Sequence, residues 1–321
     1  MNKRAHKHLQ RRIAKALMTV FSVMLLLAAC GEQTPDGALE EWTLPEGKGT
    51  RDNTAVCLTP EPGDKNIFEN DLAVIDCSNV SEGYIYVRYQ GENPKVKLQM
   101  TGPDDVLYTY DLDSAGRADV FPLSAGNGTY EINVYENVQK KQYSLALSAE
   151  VSVTLRDPFL PFLYPNQYVV FDENTEAVQL GETLAAPANE DLDVVSNVYN
   201  YIIRHVTYDT EKAETVPYGY LPSVDETLST GKGICLDYAS LMTAILRSQQ
   251  IPTRMEIGYA GQAYHAWLSC YIQDVGWVNG LIEFDGEHWS LMDPTFAASN
   301  SSDFLESFIG DGDNYVLKFI Y

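Results

Sequence analysis

The chain has 321 residues, carries 45 Asp and Glu against 22 Lys and Arg, and has a formal net charge of −23. So acidic a surface is unsuited to nucleic acid, whose phosphates need basic side chains, and an anionic lipid surface repels it. There is no Gly-x-x-x-x-Gly-Lys-Ser/Thr segment, and Gly231-Lys232-Gly233 is too short to cradle phosphate, so no nucleotide or other cofactor is implied.

Residues 1–29 read as a secretory signal. Lys3, Arg4, Lys7, Arg11, Arg12 and Lys15 form a basic stretch without an acid, and residues 16–29 follow as an uncharged, mostly apolar run. That run is shorter than the ~20 residues of a membrane span and ends in small residues. Leu27-Ala28-Ala29-Cys30 resembles the lipobox of bacterial lipoproteins, which implies that Cys30 is acylated and becomes the first mature residue. Several acyl chains hold a protein firmly to a bilayer. The expected location is therefore the extracytoplasmic face of a bacterial cell membrane, with the lipid on Cys30 as the membrane contact. Loss of the six basic residues leaves the exported part at −29, a charge that favours solubility.

Residues 30–53 are rich in Gly, Pro, Glu and Thr and bury too little to order themselves, so they are expected to be a flexible tether. Residues 54–155 show short runs of period two, among them Tyr84-Ile85-Tyr86-Val87-Arg88-Tyr89, Val96-Lys97-Leu98-Gln99-Met100 and Tyr130-Glu131-Ile132-Asn133-Val134-Tyr135. Turn residues separate them, and an antiparallel β-sandwich is the expected result. This segment has no histidine and only two cysteines, Cys57 and Cys77, which an oxidising compartment allows to pair if their Cβ atoms come within reach. From Asp111 to Asp119 the acids and Gly116 imitate the start of a calcium loop. Pro122 stands where the bidentate Glu belongs, so a solvated acidic turn is expected.

Residues 156–321 make the second expected domain. Val195, Val198, Tyr199, Ile202 and Ile203 recur at helical spacing after Asp191 and Asp193, and residues 225–228 suggest another helical turn. Gly231-Lys232-Gly233 breaks the chain before Cys235, which opens an apolar run free of breakers that ends before Pro252. Cys235 is thus placed at a helix N-terminus, where free amides and the helix dipole favour a thiolate and can hold an oxyanion. Residues 264–272 read as a strand with His265, Trp267 and Ser269 on one face and Ala266, Leu268 and Cys270 on the other. Residues 289–292 read as a second strand, stopped by Pro294, that presents Asp293 at its end. A thiolate needs a nearby base, and the resulting imidazolium needs a carboxylate. A zinc site from Cys235, His265, Cys270 and Asp293 lacks the close ligand pairs such sites use.

Gly-Ile-Cys-Leu-Asp-Tyr-Ala-Ser-Leu around Cys235, Ile251-Pro252-Thr253-Arg254, Gly258-Tyr259, Tyr264-His265-Ala266-Trp267, and Trp289 with Asp293-Pro294-Thr295 closely resemble the core of transglutaminase-like proteins. The resemblance implies an α+β, papain-like core, with Cys235 as nucleophile, His265 as base and Asp293 as orienter. It also suggests that Tyr218, Tyr220 and Trp267 line the cleft. The implied chemistry is acyl transfer at an amide, by a cross-linking transglutaminase or a cysteine peptidase or amidase, on peptides or proteins of the cell envelope or surface. The alternative is a catalytically silent surface lipoprotein that binds or assembles through its β-domain.

Overall fold

The computed structural model describes residues 42–279, 281–284, 289–292 and 315–321. The expected signal, Cys30 and Asp293 lie outside them. No helix among the described residues is long and apolar enough to cross a membrane.

The period-two runs fold as eight strands: β1 (Ile67–Glu69), β2 (Ala73–Asp76), β3 (Tyr84–Tyr89), β4 (Val96–Thr101), β5 (Leu107–Asp111), β6 (Ala118–Pro122), β7 (Gly128–Gln139) and β8 (Gln142–Val153). They pair antiparallel in two four-stranded sheets, ordered β1-β2-β3-β6 and β5-β4-β7-β8. Alternation dictates which face is dry: Ile85, Val87 and Tyr89 on β3, Leu98 and Met100 on β4, and Ile132 and Val134 on β7 are all buried. Each such side chain contributes roughly 1.5–3 kcal/mol of burial, and together they fill one core. In the acidic turn, Asp111 is taken by Lys97 at 2.6 Å and Asp113 by Arg117.

Five helices follow in the described residues: α1 (Glu176–Ala185), α2 (Asp191–His205), α3 (Thr210–Thr215), α4 (Val224–Thr230) and α5 (Cys235–Ser248). Beside them lie β9 (Thr207–Tyr208), β10 (Lys232–Gly233), β11 (Thr253–Ala260), β12 (Ala263–Ile272), β13 (Gly276–Asn279), β14 (Leu281–Phe284), β15 (Trp289–Met292) and β16 (Tyr315–Ile320). A four-stranded sheet runs β13-β12-β11-β16, and β14 pairs with β15. Helix α5 is buried on nearly all sides, packing on β11 and β12 and touching α1, α2 and α4. Gly258 on β11 is dictated by close approach, because a Cβ there would lie 2.1 Å from the Val316 carbonyl oxygen on β16.

The two halves of the chain meet through aromatic rings. Tyr108 and Tyr110 of β5 lie 5.7 and 5.8 Å from the Tyr321 ring, and Tyr168 lies 4.6 Å from it. The Ile320 amide also donates to the Tyr108 hydroxyl at 3.2 Å.

Residues 49–56, most of which composition assigns to the tether, lie along α1, α2 and α5. The Gly49 and Arg51 amides donate to the Ala186 and Ala188 carbonyls, Arg51 pairs with Asp191 at 2.7 Å, and the Val56 amide donates to Ser248. Hydrogen bonds hold most of this stretch, with Ala55 packed against the core, and composition does not reveal such bonds. The same path corrects the possible Cys57–Cys77 disulfide, since both thiols are free. Cys77 is buried in the β-core, whereas Cys57 follows the segment docked on the helices, beside Val178 and Glu182 of α1.

Candidate active site

Cys235 is the first residue of α5, as the chain break before it suggests. Gly231 ends α4 at φ 61°, a left-handed conformation suited to glycine. Short parallel pairing of β9 with β10 then holds the approach, with Thr207 and Asp209 amides donating to Gly231 and Gly233. The Ile234 amide donates to Asp237 Oδ2 at 2.8 Å, which fixes the first turn. Cys235 and Leu236 occupy the first two helical positions, where backbone amides have no intrahelical acceptor.

Asp237 is fully buried three residues into the helix, where its charge would oppose a thiolate beside it. Lys212 offsets that charge at 2.8 Å, and Tyr220 donates to Asp237 Oδ1 at 2.7 Å while accepting from Lys212 at 2.6 Å. Of the two tyrosines expected to line a cleft, Tyr220 braces the helix start. Tyr218 is 85 % exposed, with its hydroxyl 3.2 Å from Lys97 of β4.

His265 sits on β12 opposite Gly258 and is buried. Because α5 packs on β12, the element that begins with Cys235 and the strand that bears His265 are neighbours. Tyr264, next to His265, has its phenol pushed up first by burial, then by Tyr259, Tyr218 and Cys235. The Trp267 ring lies nearly parallel to the imidazole, with centroids 6.3 Å apart. Trp267 Nε1 donates to Glu256 Oε2 at 2.6 Å in a buried setting. Asp293 follows directly on Met292, the last residue of β15.

The remaining described cysteines are poor nucleophiles. Burial pushes the Cys77 and Cys270 thiols up to about 12. Cys57 is pushed up by burial and by Asp172, Glu173 and Glu182. Cys270 lies on the strand face opposite His265.

Asp237 and Glu256 were legible only in part. An acid at the third helical position is a capping signal, but nothing in the sequence reveals Lys212 as its partner. Burial raises the Glu256 carboxyl above its ordinary 4.5, while hydrogen bonds from Ser269 and Trp267 and the charge of Arg254 oppose that shift. A raised folded value means a contribution to stability that is full below the unfolded value and lost as pH rises through the folded one. Glu256→Gln is expected to lose less stability than the parent on going from about pH 4.5 to pH 7. Thermal melts at several pH values check this, and parallel curves for the two proteins would contradict it.

Residues 178–280, which include Cys235 and His265, match the transglutaminase-like superfamily. Residues 178–280 form a transglutaminase-like domain. An uncharacterised protein of Bacillus subtilis, YebA, is 31 % identical over a stretch covering 30 % of this chain and only 16 % of that protein. Among solved structures, a candidate cysteine protease from Cytophaga hutchinsonii is similar at 16 % identity, over 79 % of this chain and 83 % of that one, with a TM-score of 0.39. Red sea bream transglutaminase is similar at 14 % identity, over 66 % and 48 %, with a TM-score of 0.29. Both likenesses are slight, and the assignment of the transglutaminase-like domain rests on the family match. That match ends before Asp293.

Proposed function

We propose that the protein is a thiol-dependent acyl-transfer enzyme acting on amide bonds, with Cys235 as nucleophile, His265 as base and Asp293 as orienter. The observation that carries it is a cysteine at the first position of a buried helix packed on the strand that bears a buried histidine. The Cys235 sulfur attacks the amide carbonyl, and the first-turn amides of α5 receive the developing oxyanion. His265 protonates the departing amine, leaving a thioester. An amine or water then attacks the thioester, His265 takes its proton, and the thiolate is released. Asp293 holds the imidazole tautomer and stabilises its charge. Lipid on Cys30 tethers the enzyme outside a bacterial membrane, so envelope or surface polypeptides are the proposed substrates.

Iodoacetamide alkylation of Cys235 across pH, on protein lacking residues 1–30, tests the ion pair. Labelling is expected well below the free-thiol value of about 8.5. It should shift toward that value in His265→Ala. Labelling confined to alkaline pH in the parent would leave Cys235 structural and favour the binding-module alternative.

A further inference from the structure

The feature that the thiol chemistry leaves unexplained is a set of exposed tyrosines on the segments next to His265 and to the start of α5, one of them held from the β-sheet half of the molecule. Tyr218, Tyr264 and Tyr259 are 85, 60 and 41 % exposed, although large aromatic side chains usually bury more of their area. Tyr264 and Tyr259 form an edge-to-face pair with centroids 5.6 Å apart, on adjacent strands beside His265 and Gly258. Tyr218 belongs to the loop whose Tyr220 is bonded to Asp237, two residues beyond Cys235.

Tyr218 does not simply extend into solvent. Lys97 of β4 donates to its hydroxyl at 3.2 Å and lies 4.7 Å from the ring centroid. Lys97 is itself fixed by Asp111 of β5 at 2.6 Å. The loop backbone presses on the same carboxylate, since a Cβ on Gly219 would lie 3.1 Å from Asp111 Oδ2. Gly219 has φ 80°, a conformation that a side chain would strain. The Asp111 carbonyl in turn accepts from Gln167 at 2.9 Å. A chain of polar contacts thus runs from the sheet to one exposed ring and ends there.

Resting on the thiol reading of Cys235, we infer that Tyr218, held in place by Lys97 and Asp111, forms with Tyr264 and Tyr259 a subsite for an aromatic side chain of an extended peptide. On this inference a polypeptide whose carbonyl reaches Cys235 lays a side chain against these rings. Ring faces and edges favour planar side chains over aliphatic or absent ones, because aromatic pairs gain beyond the area they bury. The β-sheets then act as a specificity element for the neighbouring reactive centre, and Tyr218 is its specificity-determining residue. One or two such ring contacts correspond to a preference of about tenfold.

The test compares alkylation of Cys235 by two acetylated dipeptidyl chloromethyl ketones, phenylalanylglycyl and glycylglycyl, in the chain lacking residues 1–30. In each reaction the thiolate displaces chloride and a thioether forms. The ratio of the two rates cancels any change in thiol reactivity between variants. A ratio of about ten is expected in the parent and near one in Tyr218→Ala. Lys97→Met should give an intermediate ratio, because the ring remains but is no longer held. Tyr218→Phe should give a ratio between those of the parent and Lys97→Met, because it loses the hydrogen bond from Lys97 but keeps the cation–ring contact. No preference in the parent, or one that survives Tyr218→Ala, overturns the subsite while leaving the thiol chemistry intact. A full preference in Lys97→Met overturns the part assigned to the β-sheets. A parent in which iodoacetamide does not label Cys235 overturns the thiol reading and the subsite together.

Discussion

Cys235→Ala and His265→Ala are each expected to lower turnover of fluorescein-labelled casein, read both as release of labelled peptide and as incorporation of a labelled primary amine, by at least about a thousandfold. The size follows from how the proposed centre works. The thiolate forms the only covalent bond to the acyl group, and without the imidazole the departing amine leaves unprotonated. Because the two residues act as a unit, the double variant should be little worse than either single one. Cys57→Ser serves as the control, since that thiol is pushed up by burial and three carboxylates and lies beside α1. Comparison of the two readouts also separates hydrolysis from transfer to an amine. Casein turnover that persists in Cys235→Ala would move the chemistry elsewhere, and no turnover in any protein would favour the silent binding module.

Arg247→Leu is expected to cost on the order of 3–5 kcal/mol in urea unfolding at neutral pH. Arg247 is the largest fully buried side chain of the described residues and belongs to the last turn of α5. Burial pushes its guanidinium down, and its hydrogen bonds go to main-chain carbonyls. Nε and Nη2 donate to Thr253 at 2.9 and 2.8 Å, Nη1 donates to Tyr164 at 2.6 Å, and Nη2 also donates to Tyr321 at 2.8 Å. One planar fork thus ties the end of α5 to the start of β11, the loop at Tyr164 and the residue that follows β16. Leucine fills part of the volume but takes the donor from the Thr253 and Tyr164 oxygens, while the Tyr321 oxygen keeps the Met255 amide at 2.9 Å; buried acceptors left unpaired cost far more than a surface bond is worth. Arg247→Lys should recover only part of the loss, because a single ammonium cannot span the fork. A change below about 1 kcal/mol would mean that water or other donors satisfy those carbonyls.

Local signals carried far in this chain. The alternation in residues 84–89, 96–100 and 130–135 was enough to place β3, β4 and β7, because a strand with one dry face must repeat every second residue. The breaker at Gly231-Lys232-Gly233 and the apolar run after it placed Cys235 at the first position of α5, and residues 264–272 gave the strand of His265. The short motifs around those residues named the superfamily that residues 178–280 match.

What the sequence by itself determined is what depends on neighbours along the chain: periodicity, helix starts and stops, and the order of Cys235 and His265 in a family pattern. The tertiary structure alone decided which distant groups meet. It left Cys57 and Cys77 as free thiols in different surroundings, and it bound residues 49–56 to the helices through main-chain hydrogen bonds that composition does not encode. It gave Asp237 its Lys212, Trp267 its Glu256 and Tyr218 its Lys97, partners separated by 25, 11 and 121 residues. Such pairings follow from where whole sheets and helices pack, and a buried or braced polar group finds whichever partner that packing brings within about 3 Å.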